Sequence, residues 1–520
     1  MDQFLPIPEP SFASALWATI GVGGMFSVTL VLGLIGRKRW SSFSEYMVGR
    51  RNIGPVATGC AVAAAYLSGW AFCGSAGISY SLGWSGMWFA GVWTLVGIMP
   101  CVWITALRTR ELSMRFGATT LSEILGFRFN SKMVQTVVSL TVLFYLFMYS
   151  VGQLKAAGGT WYAVTGWHHG TCLLIAVVVT FLYMYLGGYT STQWSLAFQG
   201  AFLGIVGLCL GIFGMIKVGG PTALNETLMS QDPGLIKLMR PELPKVGKAH
   251  LFSSAVGLLA TPMIFFTMAI GFPHNVSRFL GMRELTKRDY AIMALFVFLV
   301  AGLPIMIDCA WNGTIARALY GGTLFDIKPW GADLASPYLA WGAGGLPLVT
   351  LYVAALFAAA LSTLSAMIFI MAGNISRDLI KLWRPQTSDR FLINLTRLLL
   401  AVFLVFPLLW TWKNPPELLA IFMGFAAIGL GGTFFYVTAV SYYWKNASSL
   451  GVILAVIYGL IATLWGAWQV SHDQLGMGWM FWIVFIGCGI LYFGGGIVGK
   501  KPDQKTLDTA FPPKAESAQA

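Results

Sequence analysis

The sequence predicts an all-α polytopic membrane protein of thirteen spans, ten of which form two five-helix repeats of opposite orientation. Three observations predict it. The 520 residues are 57% hydrophobic and only 10% charged, whereas soluble proteins carry roughly 25% charged residues. The apolar residues fall in runs of about 20 or more, the length that crosses ~30 Å of hydrocarbon. Two of those runs, five spans apart, are interrupted by Gly and Pro in their second halves. So little chain lies outside the spans that the net charge of +13 implies no nucleic-acid partner. How that charge is shared among the loops is what matters.

In order, the spans fall at about 12–36, 55–80, 86–106, 133–162, 170–188, 194–217, 251–277, 290–316, 346–372, 393–412, 417–440, 449–470 and 478–498. The first has no basic residues before it and no small-residue cleavage site after it, so it reads as a retained helix and not a signal peptide. With the N-terminus outside and the C-terminus inside, the inner loops hold Arg37–Arg39, Arg50, Arg51, Arg108, Arg110, Arg115, Arg128, Lys132, Arg278, Arg283, Lys287, Arg288, Arg377, Lys381, Arg384, Arg390 and Lys445. The outer loops hold mainly Lys237, Arg240, Lys245, Lys248, Lys328 and Lys413. Cytoplasmic loops are enriched in Lys and Arg, which supports this orientation and an odd number of spans. The expected organisation is one transmembrane domain over 1–498 in a plasma membrane (a bacterial inner membrane), with repeats at about 55–217 and 251–440. A polar cytoplasmic tail, 499–520, is expected to be disordered. All seven cysteines lie in or beside spans; their spacing suggests neither disulfides nor a metal site.

The two interrupted spans carry the first functional signal. Span two reads GPVATGCAVAAAYLSGWAFCGSAGISYSLGW, and span seven reads GLLATPMIFFTMAIGFPHNVSRF. Gly and Pro are common in membrane helices, so either break alone says little. As a pair at corresponding positions of two repeats, they mark a midplane binding site of the kind secondary transporters use. A second signal is Ala354–Lys381, a long apolar segment bearing Ser362, Thr363, Ser365 and Ser376. Hydroxyl oxygens are hard, neutral ligands suited to Na⁺, and when empty they can bond back to their own helix. Packing by small residues is the plainer account of the same pattern.

Five motifs connect these signals. RRNIGP at Arg50–Pro55 precedes the first broken helix, and AAYLSGW at Ala64–Trp70 is its unwound segment. RFGATTLSEILGFRF spans Arg115–Phe129, GFPHNVSRF spans Gly271–Phe279, and ALSTLS spans Ala360–Ser365. In order and topology, over about residues 40–385, they resemble the signatures of the sodium:solute symporter family. The resemblance implies a LeuT-type five-plus-five fold with one extra N-terminal and two extra C-terminal helices. It also implies Na⁺-coupled symport and no enzymatic activity.

It further implies a site for one coupling Na⁺, formed by the carbonyls of Ala64, Leu67 and Ala359 with the hydroxyls of Ser362 and Thr363. A second sodium used by some members needs an Asp where this chain has Leu196, so one ion is expected. The proline branch has an Asp where Tyr66 stands, and Trp and Tyr where Phe265 and Ala269 stand, which argues against proline. VGQLK, ending at Lys155, resembles an element of the acetate, pantothenate and other carboxylate-carrying branches, where the cation meets the substrate's carboxylate. A Lys inside the membrane costs about 2.5 kcal/mol or more unless it finds a cavity or a partner. Lys155 therefore reads as a carboxylate anchor, as a snorkelling side chain, or as half of an ion pair, with Asp308 the nearest acid in a span. Ser68 could bond a substrate oxygen. Trp70, Phe265 and Phe272 would wall the pocket, and His274 reads as a ligand, a proton relay or a group bonded to freed carbonyls.

The resulting expectation is Na⁺-coupled symport of a small organic solute, a carboxylate, by alternating access. A proton-coupled carrier and a Na⁺-coupled amino-acid or zwitterion symporter are the alternatives. The partners are the solute, Na⁺ and the lipid bilayer; the sequence is silent on oligomeric state.

Overall fold

The computed structural model describes residues 4–35, 42–186, 189–309, 311–414 and 419–512, and these are helical with turns and no strand. Nine described helices are long and apolar enough to cross a membrane, and eleven if each of two bent pairs is one span. Of the thirteen expected spans, the third falls on the helical run Trp84–Phe116 and the fifth on His169–Leu186.

The first helix, α1 (Phe12–Ile35), packs against the later hydroxyl-bearing helix. The first broken span starts where Pro55 occupies the first turn of α2 (Pro55–Tyr66). Proline suits that position because its missing N–H would be unpaired there anyway. Helix geometry fails at Leu67 (ψ 71°), resumes in a π turn at Trp70–Gly74 and continues as α3 (Ser75–Leu82), bent by 48°. Next comes α4 (Leu121–Arg128), capped by the Thr120 hydroxyl, and then α5 (Lys132–Thr165), capped by Ser131 and closed at Gly166 in the left-handed region (φ 65°). α6 (Tyr189–Val218) runs along α2, where Gly200 lets the two backbones approach: a Cβ there would lie 2.9 Å from Ala64 Cβ.

The second broken span is α7 (Ala255–Gly271) followed by Pro273–Gly281, bent by 44°. Phe272 takes an extended conformation (ψ 117°), as the residue before a proline must. The long helix α8 (Ala335–Gly373) is interrupted at Gly345 (φ 61°) and runs on through a π segment to Lys381. α8 packs along α5 and α6, and it touches both halves of the first broken span.

At the arginine-rich end of the bundle the described part of the C-terminal segment docks as a helix, where a disordered tail was expected. Asp503 caps α9 (Gln504–Ala510), and Phe511 lies under three cations. Arg108, Arg128 and Lys445 stand 4.9, 4.8 and 5.7 Å from its ring centre. Arg108 also donates to the Ala510 carbonyl at 2.6 Å. A polar composition predicted a solvated tail, but one aromatic among clustered arginines is enough to dock it. Residues 513–520 lie outside the described part.

Candidate functional site

The break in the first span is built by redirected backbone donors. The Ser68 N–H turns back to the Tyr66 carbonyl (2.8 Å), and the Gly69 N–H donates to Gln153 Oε1 on α5 (2.9 Å). In a continuous helix those donors would serve Ala64 and Ala65, so these two carbonyls are freed. Gly69 is required here because a Cβ would overlap Ala156 Cβ and lie 3.4 Å from Ala360 Cβ. The unwound segment is thus clasped between α5 and the hydroxyl-bearing turn of α8.

On α8, the Ser362 hydroxyl donates to the Ala359 carbonyl and the Ser365 hydroxyl to the Ser362 carbonyl, both at 2.8 Å. Thr363 differs: its hydroxyl is buried and has no partner among the described residues. Leu196 on α6 clusters with the side chains of Ala61 and Ala64. Of the five expected sodium ligands, Ala64 and Leu67 lie at the break of α2, and Ala359, Ser362 and Thr363 lie on the part of α8 that meets the break through Ala360.

The expected substrate residues divide into three groups. Ser68, Phe272 and His274 surround Tyr149 of α5. The Tyr149 hydroxyl faces Ser68, its ring meets Phe272 edge-on at 5.4 Å, and the His274 ring is 6.0 Å away. His274 Nδ1 is buried without a partner among the described residues. Trp70 and Phe265 meet edge-on at 5.4 Å and both pack on Phe89; Ala269 is fully buried near them. Tyr66 lies against Cys101 and Asn275, bridging the two broken spans.

Lys155 stands apart from these groups. Its ammonium pairs with Asp333 at 2.6 Å, and the pair is almost wholly buried. Asp333 belongs to the turn Gly331–Leu334, just before α8. The ion-pair option is therefore realised with an acid from a connecting segment, where a search of the spans could not find it. The side chain of Asp308, the acid expected from the sequence, lies outside the described residues.

Two site residues were missed by sequence reasoning. Tyr149 and Gln153 are four apart on α5 and point to the break, with Ala156 and Thr160 extending the same stripe. Gln153 is fully buried, and its Nε2 has no partner among the described residues. The signal was a polar amide inside an apolar span, overshadowed by the lysine two positions later.

A narrow cleft on the arginine-rich side, with about 40 Å³ open to water, reaches Pro273 and Ala366, next to His274 and Ser365. Thr119–Ser122, Arg278 and Asn374 line it. Beside it, Glu123 is paired with Arg377 (2.8 Å), and Asp378 accepts from Thr120 (2.7 Å) and Gln135 (2.9 Å). Glu123 is thus held in an ion pair. At the opposite end the path is covered. Ser336 donates to the Phe72 carbonyl (2.7 Å), Tyr80 to the Gly321 carbonyl (2.6 Å), and Asp333 sits on Gly77.

Two broken helices meeting beside a hydroxyl-bearing helix define a secondary active transporter. The chain belongs to the sodium:solute symporter family, whose profile matches residues 46–459. It is 25% identical over 465 residues to the sodium/proline symporter of Staphylococcus aureus strain NCTC 8325, with 87% of each chain covered. Its fold is similar to that of a Na⁺-coupled sialic acid symporter in a substrate-bound outward-open state (TM-score 0.70, 15% identity, 94% of this chain and 99% of that one). A nucleobase-cation-symport-1 family transporter, closed with bromovinylhydantoin bound, is also similar (TM-score 0.53, 14% identity, 92% and 98%). The protein is a multi-pass membrane protein of the LeuT-type fold that performs sodium-coupled symport of a solute.

Proposed function

We propose that this protein carries a small organic carboxylate into the cell together with one Na⁺, by alternating access. The Thr363 hydroxyl carries the sodium part of this reading: it is buried and unpartnered, and it belongs to the turn that clasps the break. With the carbonyls of Ala64, Leu67 and Ala359 and the Ser362 hydroxyl it offers five neutral, hard oxygens, which suit a monovalent cation at an unwound helix. Leu196 beside Ala64 supports a single ion.

The substrate would lie between the two breaks. Gln153 Nε2, Ser68, Tyr149 and His274 supply donors for an acceptor-rich group. Trp70, Phe265, Ala269 and Phe272 supply apolar walls, and Tyr66 holds the two breaks together. Lys155, farther along α5 and apart from these groups, would supply the cation for the carboxylate. One observation favours a second reading: the ammonium already has Asp333 as its counter-charge. A zwitterion such as proline, the solute named for the S. aureus relative, would then need no cation.

The arginine-rich end is taken as cytoplasmic, by the positive-inside rule. The chain then has thirteen spans with its N-terminus outside, in a plasma membrane of the bacterial inner type, and the cleft opens inward. Sodium arriving from outside would join α2 to α8 and shape the pocket, and substrate would then close the outer path. Each ligand must bind the same conformer better, because a ligand binding both conformers equally couples nothing.

The test is thermal stability of the purified protein with acetate, propanoate, pyruvate and L-proline, in NaCl and in KCl. A ligand that binds only the folded state raises apparent stability by mass action. The expected result is a carboxylate-induced shift in NaCl that disappears in KCl. A shift of equal size in both salts would overturn sodium coupling in favour of a proton-coupled carrier. A shift with proline alone would favour the zwitterion reading.

A further inference from the structure

The π segment that continues α8 holds a buried carboxylate with no cation to match it. Asp378 is wholly buried. Its Oδ1 accepts from the Thr120 hydroxyl (2.7 Å) and Gln135 Nε2 (2.9 Å), and its Oδ2 accepts from the Asn374 amide (3.1 Å). All three donors are neutral. Glu123, close by, has Arg377 as its counter-charge at 2.8 Å. No basic side chain pairs with Asp378 among the described residues. A buried charge is costly unless it is paired, and acids within membrane segments mark ion pathways.

The cleft connects this carboxylate to the sodium turn. Ala366, Ile370 and Asn374 line it at intervals of four residues. Four residues back from Ala366 is Ser362, and four beyond Asn374 is Asp378. Residues four apart lie on one helix face, so a single stripe runs from the expected sodium ligands to the unmatched acid. Thr120 and Asn374 both line the cleft and both bond to Asp378. The Ser122 hydroxyl, on the wall formed by α4, is buried and has no partner among the described residues. Arg278 lines the cleft from the second broken span, so a passing cation is drawn to the α8 wall and away from that one.

We propose that Asp378 is a release station for Na⁺. The ion leaving the sodium turn pauses in the cleft, held by the charge of Asp378 and by the side-chain oxygens of Thr120, Ser122 and Asn374, before it passes out at the arginine-rich end. This rests on the sodium reading above. The station is a second stop for the same ion, and the coupling stoichiometry stays at one. The cleft already has room for a water-sized ion, so the pause needs no segment to lift.

The test is the thermal shift of the purified protein titrated with NaCl at constant ionic strength, with N-methylglucamine chloride as the balance. Thr363→Val removes the deep hydroxyl and is expected to leave a weaker sodium response, that of the station. Thr363→Val/Asp378→Asn should abolish this remainder. No remainder in Thr363→Val would overturn the proposal. So would a remainder that survives Asp378→Asn, even with a lowered starting melting temperature, because Asp378 would then be a structural tie alone. If the Asp378→Asn chain fails to fold, Thr363→Val/Ser122→Ala removes an oxygen that bonds to nothing else among the described residues. It should weaken the remainder about threefold or more, read as the NaCl concentration giving half the shift, and an unchanged remainder would overturn the proposal. If wild type does not respond to sodium, the sodium reading falls and this proposal with it. A wild-type response without the Asp378-dependent remainder removes this proposal alone.

Discussion

At the scale of single residues, the site is defined by buried polar atoms whose partners are missing or shared. Thr363→Val keeps the shape of the side chain and removes the unpartnered hydroxyl. It is expected to weaken sodium at least tenfold, with stability in the absence of sodium nearly unchanged, as read by titrating the thermal shift with NaCl. Ser362→Ala should cost less, because that hydroxyl already satisfies the Ala359 carbonyl and its ligand role requires breaking a bond worth about 1 kcal/mol. Gln153 separates structure from binding. Gln153→Leu leaves the Gly69 N–H unsatisfied, at about 1–3 kcal/mol of stability. Gln153→Glu keeps an acceptor for Gly69 but replaces the free donors with a negative charge. The second variant should stay folded and lose carboxylate binding, measured with the same acid panel. Of these residues, Ser362 and Thr363 were legible in the sequence, because hydroxyls in an apolar span beside a matching break form a pattern. Tyr149 and Gln153 were not. Their role depends on which face of α5 meets the break, and an apolar helix buried all round gives no periodicity to show it.

At the scale of elements, the breaks were legible because Gly and Pro report backbone needs directly. Gly69 meets α5 and α8 too closely for any side chain. Gly69→Ala should lose sodium-dependent binding and cost about 1–3 kcal/mol from overpacking, readable as a lowered melting temperature. The Lys155 pairing could not be foreseen. Asp333 is distant in sequence and lies in a connecting segment, so only the tertiary fold brings it to α5. The C-terminal helix was hidden for a different reason: composition describes an isolated segment, and this one is stabilised by the arginines it meets. Asp503 caps it, and the Thr506 amide holds that carboxyl below the usual carboxylate range. A lowered pKa favours the folded helix above the ordinary carboxylate range, and this contribution is lost as pH falls through the lowered value. At neutral pH it is fully present. Phe511→Ala should therefore weaken docking at pH 7 by about 1 kcal/mol for each cation it leaves. Faster proteolysis after Lys500 and Lys501 would report it; unchanged cleavage would argue against the clasp.

At the scale of the whole molecule, the charge carried per cycle distinguishes the readings. One Na⁺ moving down ~100 mV releases ~2.3 kcal/mol, and a tenfold gradient adds ~1.4 kcal/mol. A zwitterion moving with that ion gains both terms. A monoanion moving with it is electroneutral and keeps only the second, so its accumulation stops at roughly tenfold. Uptake into proteoliposomes should then ignore a valinomycin-imposed potential, whereas strong stimulation by an interior-negative potential would require a neutral solute or a second sodium. Membership of a transporter class was legible at this scale from hydropathy and the paired breaks. The conformational state was not, since one sequence must serve both open and closed arrangements. The clasp at the arginine-rich end also bears on how the molecule is made. Arg108 and Arg128 leave the ribosome about 380 residues before Phe511, roughly 20 s or more at ordinary elongation rates. For that interval the end of the third helical run and α4 must insert and pack without the ring that later joins them. The newborn bundle therefore lacks the Phe511 contacts at this end until the tail is made, after every span.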